Sequence, residues 1–242
     1  MTALLHSAGR DSYCVNKLYQ PDTLVVVDPG TEEAAKERQL INRTVEDYEY
    51  VDMSFLARFE QDDKVIPFRN SFFVLAAAQF DTSVILGATR GDGITPDTTR
   101  EWAAATETLL NFFGEPEERY TVTLPVRNMS KAELVAECDR QGVSYEQILE
   151  ETKTCHYGSV EQGCGDCFDC LVRFVAFASH EFVSLSVLSE YFDEDPWERV
   201  VDNPQRVVDD FARRGPIYDS LLTVCDRLGY PELSEPSEVL SA

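Results

Sequence analysis

Apolar residues in the first half of the chain fall in short runs, each followed by a stretch with helical spacing. Ala3-Leu4-Leu5-His6 is the first run; it enters the polar turn Ser7–Ser12, and residues 12–19 carry a helical pattern. Thr23–Asp28 is the second, closed by Pro29-Gly30 and followed by a charged helix from Glu32 to Arg43. Tyr48 to Met53 predicts a third strand, and a loop holding Gln61-Asp62-Asp63 leads through Ile66–Asn70 into an apolar helix ending near Phe80. Ser83–Gly87 predicts a fourth strand, Ala88–Thr98 a polar loop, Thr99–Phe113 a helix and Tyr120–Leu124 a fifth strand. Ser130 with Glu133, and Ser144 with Gln147, have the capping-box spacing that starts helices. Further helical patterns cover 174–192, 205–214 and 216–228, separated by Asp195-Pro196 and Gly215-Pro216. Short apolar runs alternating with helices imply parallel strands under helical cover. Five of them predict an α/β fold with a doubly wound five-stranded parallel sheet, which binds ligands at the carboxyl ends of its strands.

Composition narrows the function classes. With 43% hydrophobic and 27% charged residues the chain of 242 can bury a substantial core and is not a disordered segment. Its net charge of −23 argues against direct nucleic-acid binding and against anionic membrane surfaces. Only five of the 21 basic residues are lysine, so an acidic, lysine-poor surface suggests a halophilic protein whose self-repulsion is screened by salt. No apolar run approaches a membrane span and no signal-peptide pattern opens the chain, so a soluble, cytoplasmic protein is expected.

Four of the seven cysteines are Cys155, Cys164, Cys167 and Cys170, a C-x8-C-x2-C-x2-C pattern. Two overlapping C-x2-C turns put three sulfurs on one knuckle, and the eight-residue loop returns the fourth; this suits tetrahedral Zn²⁺ in a closed structural site. Two disulfides and an iron–sulfur cluster are the alternatives that spacing leaves open. Gly163 and Gly165 flank the second cysteine, where a knuckle needs a free backbone. His156 sits beside a ligand, although four sulfurs already fill a tetrahedron. Cys14, Cys138 and Cys225 are scattered and read as small hydrophobes buried in helices.

The first strand-to-helix turn, Ser7-Ala8-Gly9-Arg10-Asp11-Ser12, is a small hydroxyl-bearing loop suited to receiving phosphate on backbone N–H groups at a helix start. Asp11 can hold the Mg²⁺ that accompanies a nucleotide. The turn resembles the S-G-G-x-D-S loop of the N-type ATP pyrophosphatases. Further blocks, in order, are similar to the 7-cyano-7-deazaguanine synthase family. They are Asp52–Leu56, Ile66-Pro67-Phe68-Arg69-Asn70 against V-P-G-R-N, and Ile85-Leu86-Gly87 with Asp92 and Pro96-Asp97 against I-x-G…D…P-D. Leu124-Pro125…Ser130-Lys131-Ala132-Glu133 against P-L…K-A-E follows, and Thr154-Cys155 through Cys170 and Arg173 resembles the family's zinc module. The resemblance spans about residues 3–177.

It implies a HUP-like, adenine nucleotide alpha hydrolase-like sheet at 1–150, a four-cysteine zinc module at 151–180 and a helical C-terminal extension at 181–242. The implied reaction consumes 7-carboxy-7-deazaguanine, ammonia and ATP. ATP adenylates the carboxylate, releasing pyrophosphate, and ammonia displaces AMP to give an amide; a second ATP activates the amide oxygen, and loss of AMP leaves the nitrile. Asp11, Lys131 and Arg69 are the implied catalytic residues. Ser7, Ala8, Gly9, Arg10, Asp11, Ser12, Asn70 and Gly87 would hold the nucleotide, and Arg69, Asp92 and Asp97 the deazaguanine. Two departures stand out. Ala8 replaces a glycine, at a cost of roughly 1 kcal/mol or more if the position needs positive φ or close approach to phosphate, and about 70 residues follow Cys170. A related ligase making an amide or conjugate, and a zinc-stabilised binding homologue, are the alternatives; the extension suits a lid, a homodimer contact or a partner site.

Overall fold

The computed structural model describes residues 1–62, 64–115, 117–153, 155–181, 183–212 and 216–229, with the backbone alone at 93, 94, 216 and 217. Asp63, Thr154 and Gly215, each part of a sequence expectation above, lie outside the described residues. The chain divides into two compact units, Met1–Asn128 and Met129–Ala242.

The first unit is built on β1 (Thr2–Leu5), β2 (Thr23–Asp28), β3 (Glu49–Asp52), β4 (Ser83–Leu86) and β5 (Thr121–Thr123), all parallel, in the order β3-β2-β1-β4-β5. The connecting helices are α1 (Arg10–Tyr19), α2 (Glu32–Thr44), α3 (Arg69–Ala77) and α4 (Arg100–Phe113). Register aligns Ala3 with Val84, and Val84 with Val122. Side chains two apart share a face, so Ala3, Leu5, Val25, Val84 and Val122 form one apolar layer that meets Val74, Ala77 and Ala78 of the α3 segment and Ala103 and Leu110 of α4. The doubly wound parallel sheet expected from the sequence is the sheet observed. Its direction of winding reverses between β1 and β4, which makes the crevice beyond Leu5 and Leu86 the topological switch point.

One backbone detail explains a sequence difference. Phe68, at the N-cap of α3, has φ 61° and ψ 14°, the left-handed region that favours glycine, and it stands where the resembled V-P-G-R-N block has glycine. Phe68 is 74% exposed, so the ring contributes little burial in return. Left-handed backbone costs a non-glycine residue about 1–2 kcal/mol, while glycine's extra unfolded-state freedom removes about 0.5–1 kcal/mol of that gain. Phe68→Gly is therefore expected to raise stability by up to about 1 kcal/mol, and the β-branched Phe68→Val to lower it. Thermal melts of the two variants check this; a lower Tm for Phe68→Gly would contradict it.

The second unit is helical: α5 (Lys131–Arg140), α6 (Tyr145–Glu151), α7 (Phe168–Ala178), α8 (Leu185–Ser189), α9 (Glu198–Asp202), α10 (Pro204–Ala212) and α11 (Pro216–Leu228). Ser130 and Glu133 form the full capping box of α5, whereas Ser144 caps α6 by accepting from the Gln147 N–H. The helix expected over 174–192 is instead two helices, and the physical reason lies in the tail. Arg227 of α11 donates to the carbonyls of Ala178, His180, Glu181 and Val183, holding the chain in a turn after α7. Cys14, Cys138 and Cys225 are buried in α1, α5 and α11, as expected of small core residues.

Candidate functional site

At the switch point the chain leaves β1 through His6 and turns into α1 over Ser7–Gly9. Hydrogen bonds within the turn fix its shape. Ser7 Oγ accepts from the Gly9 N–H at 3.2 Å, and Ser12 Oγ accepts from the Ser7 N–H at 3.2 Å. Ser12 Oγ also lies 2.6 Å from the Ser7 carbonyl, to which it donates. The two hydroxyls and the Ser7 and Gly9 amides thus serve the turn itself. Gly9 is the N-cap of α1 and no side chain caps that helix, so its first-turn N–H groups present the positive end of the helix dipole. Ala8 is 3% exposed and lies outside the left-handed region. The strain expected at that position, had it needed positive φ, does not arise.

Arg10 is buried, and its Nε donates to Asp11 Oδ1 at 2.9 Å, with 18% of the Asp11 side chain exposed. His6 is buried behind the turn; desolvation lowers its pKa to about 4, opposed by a hydrogen bond with the Ser12 backbone, so its ring is neutral at pH 7. Gly87, the residue after β4, closes the crevice from the other side. A Cβ there would stand 3.1 Å from the Asp11 carbonyl carbon and from Ser12 N and Cα. Gly87 therefore acts by close approach to the turn.

The loop after β4 is held, not loose. It forms two 3₁₀ turns, Arg90–Ile94 and Pro96–Thr98. Asp92 Oδ2 accepts from the Thr89 N–H and hydroxyl at 2.8 and 2.7 Å, and Thr98 donates to the Asp92 carbonyl at 2.6 Å. Arg127, which sequence reasoning missed, donates to the carbonyls of Thr89 and Thr98 and so fixes both ends of the loop. Asn70 and Asp97 are brought together: the Asn70 N–H donates to Asp97 Oδ2 at 3.1 Å, and the Asn70 side chain donates to the Asp97 carbonyl at 3.2 Å. Asp97 in this way caps α3. Arg69 is exposed, with its guanidinium 5.9 Å from the Phe73 ring centroid. A second missed cluster closes β2, where Asp28 accepts from Gly30 N–H, Arg38 and the Tyr50 hydroxyl. Its only sequence signal is an acidic residue ending a strand before Pro-Gly.

In the second unit the sulfurs of Cys155, Cys164, Cys167 and Cys170 all lie within 4.8 Å of one another. Two edges measure 3.8 Å (Cys155–Cys167) and 3.9 Å (Cys164–Cys170). A tetrahedron with metal–sulfur bonds of about 2.3 Å has sulfur–sulfur edges of about 3.8 Å, whereas a disulfide needs about 2.05 Å. The donor set fits zinc. Backbone amides of Tyr157, Gly158 and Cys164 point at Cys155 Sγ, and that of Cys170 at Cys167 Sγ. Hydrogen bonds from Cys167 and Cys170 hold the Cys155 thiol far below its ordinary pKa. Donating to Cys155 pushes Cys167 up to about 12, and Cys170 is likewise raised. Four sulfurs this close ionise together only around a cation. His156 pairs with Asp169, Nε2 to Oδ2 at 3.3 Å.

The knuckle is clamped by the chain that follows it. Gly163 exchanges backbone hydrogen bonds with Tyr191 and Asp193. Gly165 has φ 82°, and a Cβ there would come within 2.0 Å of the Glu194 carbonyl. Buried Lys153 donates to the carbonyls of Ser159 and Gly158 inside the eight-residue loop, and buried Arg173 donates to Leu149 and Thr152. Lys131 is the first residue of α5.

The family model of the queuosine biosynthesis protein QueC matches residues 31–181, more than half of the chain. Curated relatives named 7-cyano-7-deazaguanine synthase include that of Campylobacter jejuni, 28% identical over 123 residues, 48% of this chain and 53% of that protein. The Thermoplasma volcanium protein of the same name is 29% identical over 134 residues, 52% of this chain and 54% of its own. The chain spans about half the length of the curated relatives it matches. Among the described residues no helix is long and apolar enough to cross a membrane.

Proposed function

Because this chain belongs to the family of the queuosine biosynthesis protein QueC, we propose that it converts 7-carboxy-7-deazaguanine to 7-cyano-7-deazaguanine with ATP and ammonia. The observation that carries this reading is the turn Ser7–Ser12. It lies at the switch point and opens a helix without a side-chain cap, the place where an α/β sheet receives phosphate. A carboxylate is a poor electrophile with a poor leaving group, so adenylation precedes attack by ammonia. The first-turn amides of α1 receive the pyrophosphate that leaves, which is electrostatic stabilisation of developing charge. Asp11 would hold Mg²⁺, which would supply further neutralisation of the phosphate charge. Asp92, Asp97 and Asn70 position the loop that lies beyond β4, and the exposed Arg69, next to Asn70 in the chain, meets the deazaguanine. Zinc at the four-cysteine site holds the fold of the second unit and takes no part in the chemistry.

Incubation with ATP, ammonium and 7-carboxy-7-deazaguanine, followed by mass analysis, tests the reaction. The nitrile is the expected product. Accumulation of the amide alone would reduce the activity to its first half, and unchanged substrate would overturn it. The composition supports work in concentrated salt, where screening weakens acidic self-repulsion. The Tm is expected to rise from dilute buffer to molar KCl; a flat or falling Tm would contradict that.

A further inference from the structure

A polar loop at the carboxyl edge of a parallel sheet is ordinarily among the more mobile parts of the fold. The loop after β4 is instead tied at both ends to the connection that follows β5. Arg127 donates Nε–H to the Thr98 carbonyl at 3.1 Å and Nη1–H to the Thr89 carbonyl at 3.0 Å, so one planar guanidinium sets the separation of the two ends. Thr89 and Thr98 are both buried, where a carbonyl does not readily exchange its donor for water. The loop passes this constraint on. Asp92 accepts from Thr89, its carbonyl accepts from the Thr98 hydroxyl, and Asp97 accepts from the Asn70 N–H. A continuous run of hydrogen bonds and chain thus leads from Arg127 to the start of α3, where Arg69 stands.

We propose that Arg127 is a positioning residue for the deazaguanine side of the site. By spanning Thr89 and Thr98 it preforms the loop that carries Asp92 and Asp97 and, through Asn70, the helix start that carries Arg69. The proposal rests on the reading of that loop and Arg69 as the substrate side. A preformed loop suits a flat, rigid heterocycle, which cannot adjust its own shape, because the ordering cost is met on folding and not on binding. The turn Ser7–Ser12 keeps its shape by hydrogen bonds of its own. Loss of Arg127 should therefore fall on the carboxylate substrate and spare ATP. Lysine cannot take its place, since an ammonium is a single point of charge and lacks the planar fork that holds two carbonyls at a fixed separation.

The test combines amide hydrogen exchange with steady-state kinetics on the full-length, zinc-loaded protein and on Arg127→Met and Arg127→Lys. In Arg127→Met the amides of Thr89–Thr98 and of Asn70 are expected to exchange at least roughly tenfold faster, while those of Ser7–Ser12 keep their rates. The KM for 7-carboxy-7-deazaguanine should rise roughly tenfold to a hundredfold, the range a displacement of about 1 Å can produce. The KM for ATP should stay within about twofold and kcat at saturating substrate within about threefold. Arg127→Lys should behave like Arg127→Met, and it decides should Arg127→Met fail to fold by circular dichroism. Full rescue by Arg127→Lys would assign the effect to charge and overturn the bridging role. Unchanged exchange, a loosened loop with an unchanged KM for the carboxylate, or equal rises in both KM values would also overturn it, and each leaves the proposed reaction standing. Unaltered protein that neither binds nor converts the carboxylate would overturn the reaction and this role with it.

Discussion

Cys170→Ser is expected to strip the metal from the protein and unfold the second unit. Cys170 is 1% exposed, and its sulfur forms one edge of the tetrahedron with Cys164. Structural zinc contributes about 10–16 kcal/mol of apparent binding free energy at neutral pH, comparable with or larger than the whole stability of a typical domain, about 5–15 kcal/mol. Losing one of four ligands forfeits a large share of that. The effect should spread beyond the knuckle, because Gly163 is bonded to the 191–193 segment and α7 starts at the Cys167 cap. Elemental analysis should give one zinc per unaltered chain and far less in the variant, with proteolysis concentrated after Met129. Freshly purified, reduced, unaltered protein without zinc would contradict the assignment.

Asp11→Asn is expected to lower turnover by at least roughly a hundredfold, the cost of removing one charged contact at the reacting centre. Asparagine is the informative replacement because its side-chain oxygen can still accept from Arg10 Nε, the 2.9 Å bond seen here. Alanine would instead leave the buried guanidinium without that acceptor. The lost charge should still lower the Tm somewhat, since the pair is buried on the arginine side. Zinc content should be unchanged. Normal turnover in Asp11→Asn would remove the role given to that carboxylate while leaving adenylation itself untouched.

The strands and the cysteine site were legible because their signals are local. Thr23–Asp28 is observed with the expected bounds, since a β-branched run ending at Pro-Gly admits few alternatives. The spacing of the four cysteines pointed to one shared site, and the sulfur–sulfur distances separate a metal centre from disulfides. What stayed hidden depends on partners distant in sequence. Helix α1 starts at Arg10, two residues before the expected pattern, because Gly9 serves as N-cap. Asp97 looked like a ligand for substrate, and its bond to the Asn70 amide, 27 residues away, shows a second task as a helix cap. The C-terminal extension, whose place the sequence left open, supplies Arg227 to the end of α7 and Tyr191–Glu194 to the zinc knuckle. Periodicity reports a buried face, but not which distant carbonyl a guanidinium will find.

The most direct measurement is the identity of the nucleotide released during turnover with 7-carboxy-7-deazaguanine and ammonium. A carboxylate oxygen attacking the α phosphate expels pyrophosphate and ammonia then displaces AMP, so AMP and pyrophosphate should both form, and only when the carboxylate is present. Formation of ADP and inorganic phosphate, or of AMP at the same rate without the carboxylate, would contradict it.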